Sequence, residues 1–305
     1  MADIFTILLT ICGLALFETI SSIDNAIINA EVLGTMKKAS RKWFLTYGML
    51  SSVFVVRGLL PWLIVWIATP SLSPLKALTA TFSSDPTIVQ AIDSSSPILL
   101  IGGGVFLISL FLHWLFLEPK SYGLPSERFF EAQGVWFFAI LSVILASIVW
   151  LSLKISPMMA FGAVIGSTIF FITHGFKQNA EKNEQGLIGS GLSDISKLFY
   201  LEVIDTTFSV DGVLGAFAFT LAVPLIMIGS GLGAIIVRQL TMGNIEAVKK
   251  YVFLKNGAMY SILVLGTIML MDSFNLHVPS WLSPIATFAI IGFFYLKSFK
   301  QERAS

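Results

Sequence analysis

The sequence predicts an all-α fold, a polytopic bundle of transmembrane helices in one domain that spans residues 1–305. Only 12% of the residues are charged, whereas a soluble domain carries about a quarter. The mean hydropathy is +0.84. Apolar segments of about 20 residues, enough for a helix to cross about 30 Å of hydrocarbon, recur along the chain. The lipid bilayer is therefore the predicted surrounding of this protein.

Nine apolar runs predict nine transmembrane helices. They span residues 4–34, 43–68, 98–117, 134–153, 156–174, 194–221, 223–243, 252–272 and 281–297. The first run is longer than one crossing needs, which indicates a tilted or broken helix.

The segment 69–97, between the second and third helices, is rich in Ser, Thr and Pro. Within it, Asp85 followed by Pro86 predicts the start of a short helix with proline at its first position. Two interpretations of the segment are open: a solvated connector, or a lid over an exit path.

The basic residues predict the orientation of the chain. Fifteen of the nineteen Lys and Arg residues fall on the side of the C-terminus. They are Lys37, Lys38, Arg41, Lys42, Lys120, Arg128, Lys177, Lys182, Lys197, Lys249, Lys250, Lys255, Lys297, Lys300 and Arg303. Because positive charge accumulates in cytoplasmic loops, we expect a multi-pass protein of the cell (inner) membrane, with its N-terminus outside and its C-terminus in the cytoplasm. No basic tract indicates nucleic-acid binding.

Two short stretches of the chain resemble each other. FETISSID at 17–24 and IDTTFSVD at 204–211 each carry two carboxylates that are six residues apart. The matched positions are Glu18 with Asp205, Thr19 with Thr206, Ser22 with Ser209, and Asp24 with Asp211. A second match follows, since Gly48 precedes Arg57 by the same interval as Gly229 precedes Arg238. Chance similarity is the alternative to a true repeat.

The predicted topology turns the second copy over relative to the first. The first and sixth helices cross the membrane in opposite directions, and inverted repeats of this kind build many secondary transporters. Repeat one is then 1–117 with helices one to three, and repeat two is 194–272 with helices six to eight. The remaining parts are 118–193, with two inserted helices and a cytoplasmic loop, and 273–305, with the last helix and a cytoplasmic tail.

The carboxylates inside apolar helices need partners, because an ionised Asp at the centre of a transmembrane helix costs about 2.5–3.5 kcal/mol. We expect them to face one another, a cation, a water-filled cavity, or the two intramembrane arginines, Arg57 and Arg238. Ion pairs with these arginines that merely hold helices together are one interpretation. Such pairs account for only two of the five carboxylates, counting Glu202 as the fifth.

The spacing within each motif leaves two arrangements open. Residues six apart lie about 120° apart around an α-helix, so they share a face only if the helix is interrupted between them. The hydroxyl-rich stretches 19–22 and 206–209 are poor helix formers, and an interruption would free carbonyl groups as ligands. Alternatively, each helix is continuous and its two carboxylates serve two separate stations.

The available ligand atoms are carboxylate, amide, hydroxyl and carbonyl oxygens, which suit hard divalent cations such as Mn²⁺, Mg²⁺ and Ca²⁺. Glu202 lies three residues before Asp205 on the same helix face and is an expected additional ligand or proton carrier. The hydroxyl residues of both motifs, Thr19, Ser22, Thr206 and Ser209, are further candidate ligands. We interpret His113, His174 and His277, near predicted helix ends, as structural or interfacial residues.

The segments SSIDNA (21–26) and EVIDTTFSVDGV (202–213) resemble the TerC-type integral membrane proteins, which are placed in the lysine-exporter superfamily. The resemblance spans helices one to three and six to eight and implies a metal-ion transporter. The implied ion-binding residues are Glu18, Asp24, Asn25, Asp205 and Asp211. Members of that family are implicated in manganese efflux and in tellurite and metal stress. Gly212 follows Asp211 where many members have Ser, so the chain is similar to a divergent branch.

We therefore expect a transporter that exports Mn²⁺ or a similar cation, with protons as a candidate coupling ion, no prosthetic group and no enzymatic activity. A metal-binding membrane scaffold in the response to metal or tellurite stress is the first alternative. The second is an intramembrane aspartyl protease, which the missing Gly-x-Gly-Asp context disfavours. Tellurite itself is an anion and does not suit four acidic groups.

Overall fold

The computed structural model of the protein describes residues 4–48, 57–83, 85–189, 193–243 and 250–302, and every regular element within them is helical. The α-helices are α1 (Ile4–Ser21), α2 (Ile23–Gly34), α3 (Lys38–Trp43), α4 (Leu60–Ala68), α5 (Pro74–Thr79), α6 (Pro86–Leu117), α7 (Pro125–Ala132), α8 (Phe137–Leu153), α9 (Pro157–Gly189), α10 (Asp194–Ala216), α11 (Val223–Gly243), α12 (Leu254–Ser273) and α13 (Leu282–Glu302).

Seven helices of the described residues are long and apolar enough to cross a membrane. They are Ile4–Ser21, Pro86–Leu117, Gly134–Leu153, Pro157–Asn179, Val223–Thr241, Leu254–Ser273 and Leu282–Glu302. The protein is thus an all-helical membrane bundle. Of the other two predicted crossings, 43–68 lies partly outside the described residues, and its described part includes the shorter apolar helix Arg57–Ala68. The remaining one, α10, carries too many charged side chains to count among the seven.

The centre of the bundle is α6, whose most apolar window is 78% buried, against 17% for α8. Its aromatic and aliphatic side chains, including Phe106 and Trp114, form the main core with residues of α1, α10 and α12. Gly162 and Gly166 of α9 let that helix approach α6 closely, since a Cβ at Gly162 would lie 2.8 Å from the Ile98 carbonyl oxygen. This spacing is the small-residue packing typical of membrane helices.

The third crossing begins earlier than the prediction of 98–117. Asp85 caps the start of α6 by accepting a hydrogen bond from the Thr87 amide at 2.9 Å, and Pro86 occupies the first turn as expected. The helix does not end within the connector, however, but continues through Pro97 to Leu117. Part of the segment 69–97 therefore extends the third crossing.

The fifth crossing is longer than the predicted helix 156–174, because α9 extends to Gly189. Lys177, counted above among the cytoplasmic loop residues, therefore lies within a helix. This difference matters for the site, because Lys177 reaches one of the motif carboxylates.

Candidate functional site

The two motif copies have different backbones. The first predicted helix is interrupted at Ser22, which has φ −92° and ψ 3° and separates α1 from α2. The interruption is a bend, not an unwound segment, because the Ser22 amide still donates to the Glu18 carbonyl at 3.1 Å. The second copy lies on α10, which runs without interruption from Asp194 to Ala216. The first copy thus has a bend that leaves the Glu18 carbonyl bonded, whereas the second copy has a continuous helix.

Arg57 joins the first acidic residue of one motif to that of the other. Its Nε donates to Glu18 Oε1 at 2.7 Å, and its Nη1 lies 3.9 Å from Asp205 Oδ2. Asn25 Nδ2 donates to Asp205 Oδ1, and the Ser22 hydroxyl donates to Glu18 Oε1 at 3.0 Å. We call these five residues the bridged cluster. Arg57, one of the two predicted intramembrane arginines, thus forms an ion pair with Glu18.

The charged and amide side chains of the bridged cluster are buried. Glu18 is 2% exposed, Asn25 3%, and Arg57 4%. The backbones of α10 and α11 approach the Glu18 side chain closely. A Cβ at Gly212 of α10 would lie 2.7 Å from Glu18 Oε2, and one at Gly233 of α11 would lie 2.6 Å from Glu18 Cβ. Glycine at these two positions is what lets α10 and α11 pack against a carboxylate.

Asp211, the second acidic residue of the α10 motif, lies apart from the bridged cluster. Lys177 Nζ of α9 forms an ion pair with Asp211 Oδ2. The pair lines a cavity of about 620 Å³, which we call the central cavity. Asp211 Oδ1 has no hydrogen-bond partner within the described part of the chain. The described residues therefore do not bring all the predicted ligands to one point.

Two histidines and a second acidic residue also line the central cavity. The rings of His113 and His174 are 3.8 Å apart between centroids. His113 Nδ1 lies 3.2 Å from Glu118 Oε1, and Lys255 Nζ lies 3.1 Å from Glu118 Oε2. Burial raises the pKa of Glu118, but the hydrogen bonds and charges of His113 and Lys255 outweigh it and lower the pKa to about 2. The Glu118 carboxylate is thus ionised at neutral pH.

The other predicted site residues have separate surroundings. Asp24 belongs to α2, and its side chain lies outside the described residues. The Thr206 side chain is exposed, whereas Ser209 is buried and donates to the Asp205 carbonyl at 2.6 Å. Glu202 lies against Gly48 and lines a groove of about 540 Å³ next to Trp43.

Thr19 and Arg238 complete the set of predicted residues. The Thr19 hydroxyl donates to the Ala15 carbonyl at 2.6 Å, as a helix-internal bond. Arg238 is half-buried, and its Nε has no hydrogen-bond partner among the residues that the structure describes. No described carboxylate pairs with Arg238. Because the Asp24 side chain lies outside the described residues, the second ion pair stays a prediction.

The sequence reasoning missed a polar stripe on the first motif. Glu18, Ser22, Asn25 and Asn29 follow the spacing i, i+4, i+7 and i+11, which places them on one helix face. Asn29 is 5% exposed, and its Oδ1 has no hydrogen-bond partner in the described ranges. This periodicity was readable from the sequence. The role of Lys177 was not, because its position depends on how far α9 extends.

The bridged cluster holds a guanidinium group among oxygen ligands. Within the described residues no group of three or more His, Cys, Asp and Glu side chains is placed to hold a metal ion. Carboxylate oxygens of Glu18 and Asp205 nevertheless meet at Arg57, and the Asn25 amide group donates to Asp205. The buried cation of this cluster is thus a side chain of the protein.

Comparison with known proteins gives one match. No curated protein and no solved structure matches the chain. The model of one family, described as a protein of unknown function (DUF475), matches residues 23–305. The match includes α2 with Asp24 and Asn25 and all of the second motif. Because it covers most of the sequence, the chain belongs to the DUF475 family.

Proposed function

We propose that this protein is a membrane transporter that exports a hard divalent metal cation, with Mn²⁺ as the favoured substrate. One observation carries the proposal: Glu18 and Asp205, the matched positions of the two motifs, meet on the buried Arg57 side chain. In transporters built from inverted repeats, the substrate site lies where the repeats meet, near the bilayer midplane. The meeting of matched residues supports such a site here.

The proposed ion binds where the guanidinium group now lies. Carboxylate and amide oxygens suit Mn²⁺, Mg²⁺ and Ca²⁺, and the Asn25 Oδ1 atom lacks a described hydrogen-bond partner. Since Arg57 already occupies the oxygens of Glu18 and Asp205, the ion and the arginine compete for them. Arg57 then neutralises the two carboxylates whenever the ion has left, which avoids a costly pair of unpaired charges in the membrane.

The proposed topology follows the distribution of basic residues: nine crossings in the inner membrane, an outer N-terminus, a cytoplasmic C-terminus, and inverted repeats at 1–117 and 194–272. Protons are the proposed coupling ion, with Glu202 as a candidate carrier. The likeness of both motifs to TerC-type proteins supports manganese as the substrate. No enzymatic step is part of this proposal.

Flux into proteoliposomes tests the function. We expect the wild-type protein to carry Mn²⁺, and we expect Glu18→Gln and Asp205→Asn to reduce the flux about tenfold or more, since each removes a charged ligand. Asp93→Asn is the matched control, because Asp93 is an exposed acidic residue of α6. Parallel assays with Ca²⁺, Mg²⁺ and Zn²⁺ identify the preferred ion.

Two results would contradict the proposal. Mn²⁺ binding without flux in the wild-type protein would favour a metal-binding scaffold. Equal flux in the wild type and in both variants would show that the bridged cluster does not carry the ion.

A further inference from the structure

We propose that the central cavity is a water-filled vestibule that opens to the cytoplasm, and that the Lys177–Asp211 ion pair closes it off from the bridged cluster. The inference rests on the proposed function for the identity of the passing ion and on the proposed topology for the cytoplasmic side. The arrangement of cavity, ion pair and cluster carries it.

The lining of the central cavity requires water. The residues that line it include two lysines, two carboxylates, two histidines and one glutamine, namely Lys177, Lys255, Asp211, Glu118, His113, His174 and Gln178. Charged side chains at membrane depth face water or one another, and about 620 Å³ exceeds by far the roughly 30 Å³ that one liquid water occupies. The positive and negative charges of the lining balance, so the cavity admits ions of either sign.

The inner end of the cavity lies beside the bridged cluster. Ser21 and Asp211 both line it. Ser21 donates to the Glu18 carbonyl at 3.3 Å, and Asp211 precedes Gly212, the residue whose backbone presses on the Glu18 carboxylate. On both α1 and α10, a residue that lines the cavity is therefore followed directly by a residue that contacts Glu18.

The ion pair lies on the same part of the lining as Ser21, because Asp211 and Ser21 also share a second, smaller space. Lys177 comes from α9 and Asp211 from α10, so the pair joins two helices on the cavity wall. A second space of about 30 Å³, lined by Ile20, Ser21 and Asp211, adjoins it. A cation in the central cavity thus meets the Lys177 ammonium group before it reaches Glu18. Separation of the pair removes that repulsion and exposes a carboxylate.

The outer part of the cavity indicates the cytoplasmic side. Glu118 follows the end of α6, and Lys255 lies at the start of α12. Both chain segments belong to the side on which the basic residues are concentrated, and positive charge marks the cytoplasmic side. The vestibule then faces the compartment from which an exporter takes its ion.

Cysteine labelling tests the vestibule and the ion pair separately. Cys12 is the only cysteine, so a Cys12→Ser chain is the background for two single reporters, Ser21→Cys and Ser22→Cys. Ser21 lines the cavity, whereas the Ser22 hydroxyl is bonded to Glu18 in the bridged cluster. A charged, membrane-impermeant thiosulfonate is added to oriented vesicles from one side at a time, and the fold of each variant is checked by its melting temperature.

We expect the Ser21 reporter to react from the cytoplasmic side only, and the Ser22 reporter to react about tenfold more slowly, a difference of roughly 1.4 kcal/mol. Adding Lys177→Gln should accelerate the Ser22 reporter about tenfold. Asp211→Asn breaks the same pair from its other side and should act alike, which keeps the test valid if one variant does not fold.

A Ser21 reporter that is unreactive, or that reacts from the side opposite the cytoplasm, would contradict the proposed vestibule. A Ser22 reporter that reacts equally with and without the ion pair would overturn the closing role of Lys177. Labelling requires no metal, so the expected labelling together with absent Mn²⁺ flux would refute the proposed function and leave the vestibule intact.

Discussion

The two motif carboxylates of α10, Asp205 and Asp211, have different surroundings. Asp205 lies in the bridged cluster, where it shares Arg57 with Glu18 and is 8% exposed. Asp211 pairs with Lys177 on the wall of a cavity of about 620 Å³. Residues six apart on a continuous helix lie about 120° apart, so one helix serves two environments. The second of the two expected arrangements, two stations on an uninterrupted helix, thus describes α10.

The two cations differ as much as the two carboxylates. Arg57 binds two carboxylates from different helices through a fixed planar fork, which suits buried ion pairs. Lys177 forms an ion pair with Asp211 as a compact point charge next to a polar cavity. We infer that the bridged cluster depends on the ion pairs of Arg57 for its stability. At Asp211, water can replace the Lys177 ammonium group as the partner of the carboxylate. The predictions that follow separate these roles.

The largest effect is expected from Arg57→Ala. Removing the guanidinium group takes the positive charge away from the buried carboxylates of Glu18 and Asp205. Breaking a buried ion pair in this way lowers the free energy of unfolding by about 3–5 kcal/mol. Unfolding of the purified protein in detergent, followed by tryptophan fluorescence, measures the loss. Adding Glu18→Gln and Asp205→Asn should restore most of the stability, because no charge then needs a partner. An unrecovered triple variant would show that Arg57 acts mainly by packing.

Lys177→Ala should cost less, roughly 1–2 kcal/mol, since water in the central cavity can solvate the Asp211 carboxylate. A double-mutant cycle with Asp211→Asn gives the coupling energy of the pair. Lys76→Ala, at an exposed position outside the cavity, is the matched control. A loss as large as that of Arg57→Ala would mean that the Asp211 site is as dry as the bridged cluster.

The sequence predicted the features that depend on composition and local pattern. Low charge and recurrent apolar runs predicted the helical membrane bundle. The cost of buried charge predicted that the intramembrane carboxylates would have charged or polar partners, with the two arginines among the candidates. The partner of each carboxylate could not be predicted, because it depends on how helices distant in the chain pack. Lys177 illustrates this limit: α9 extends about four turns beyond its predicted end, which carries a residue expected in a loop to Asp211.

The sequence also contained a signal that the prediction did not use. Glu18 and Asn25 are seven residues apart and share a helix face, and both belong to the bridged cluster. Asn25 was among the ligands that the resemblance implied, but its position on the helix face of Glu18 was not part of that prediction. The bend at Ser22 was within reach of the sequence, since hydroxyl residues compete for backbone hydrogen bonds. The continuity of α10 was not, although its motif carries the same residue types.

The smallest effect is expected at Asp194, another carboxylate of α10, which lies half-buried at the start of that helix. Its pKa is lowered by a hydrogen bond from the Ser40 hydroxyl and then by one from the Lys37 amide. Since the folded pKa is below the unfolded one, the stabilisation is present at neutral pH and is lost as the pH falls through the folded value. Asp194→Asn should therefore lower the melting temperature slightly at about pH 6, and the difference from wild type should shrink as the pH falls below about 4, the usual pKa of Asp. Asp93→Asn controls for the general effect of losing a surface charge. A difference that persists at the lower pH would mean that the carboxylate charge does not stabilise this junction. The contribution of each carboxylate of α10 to stability would then depend on its burial alone, and not on the groups that contact it.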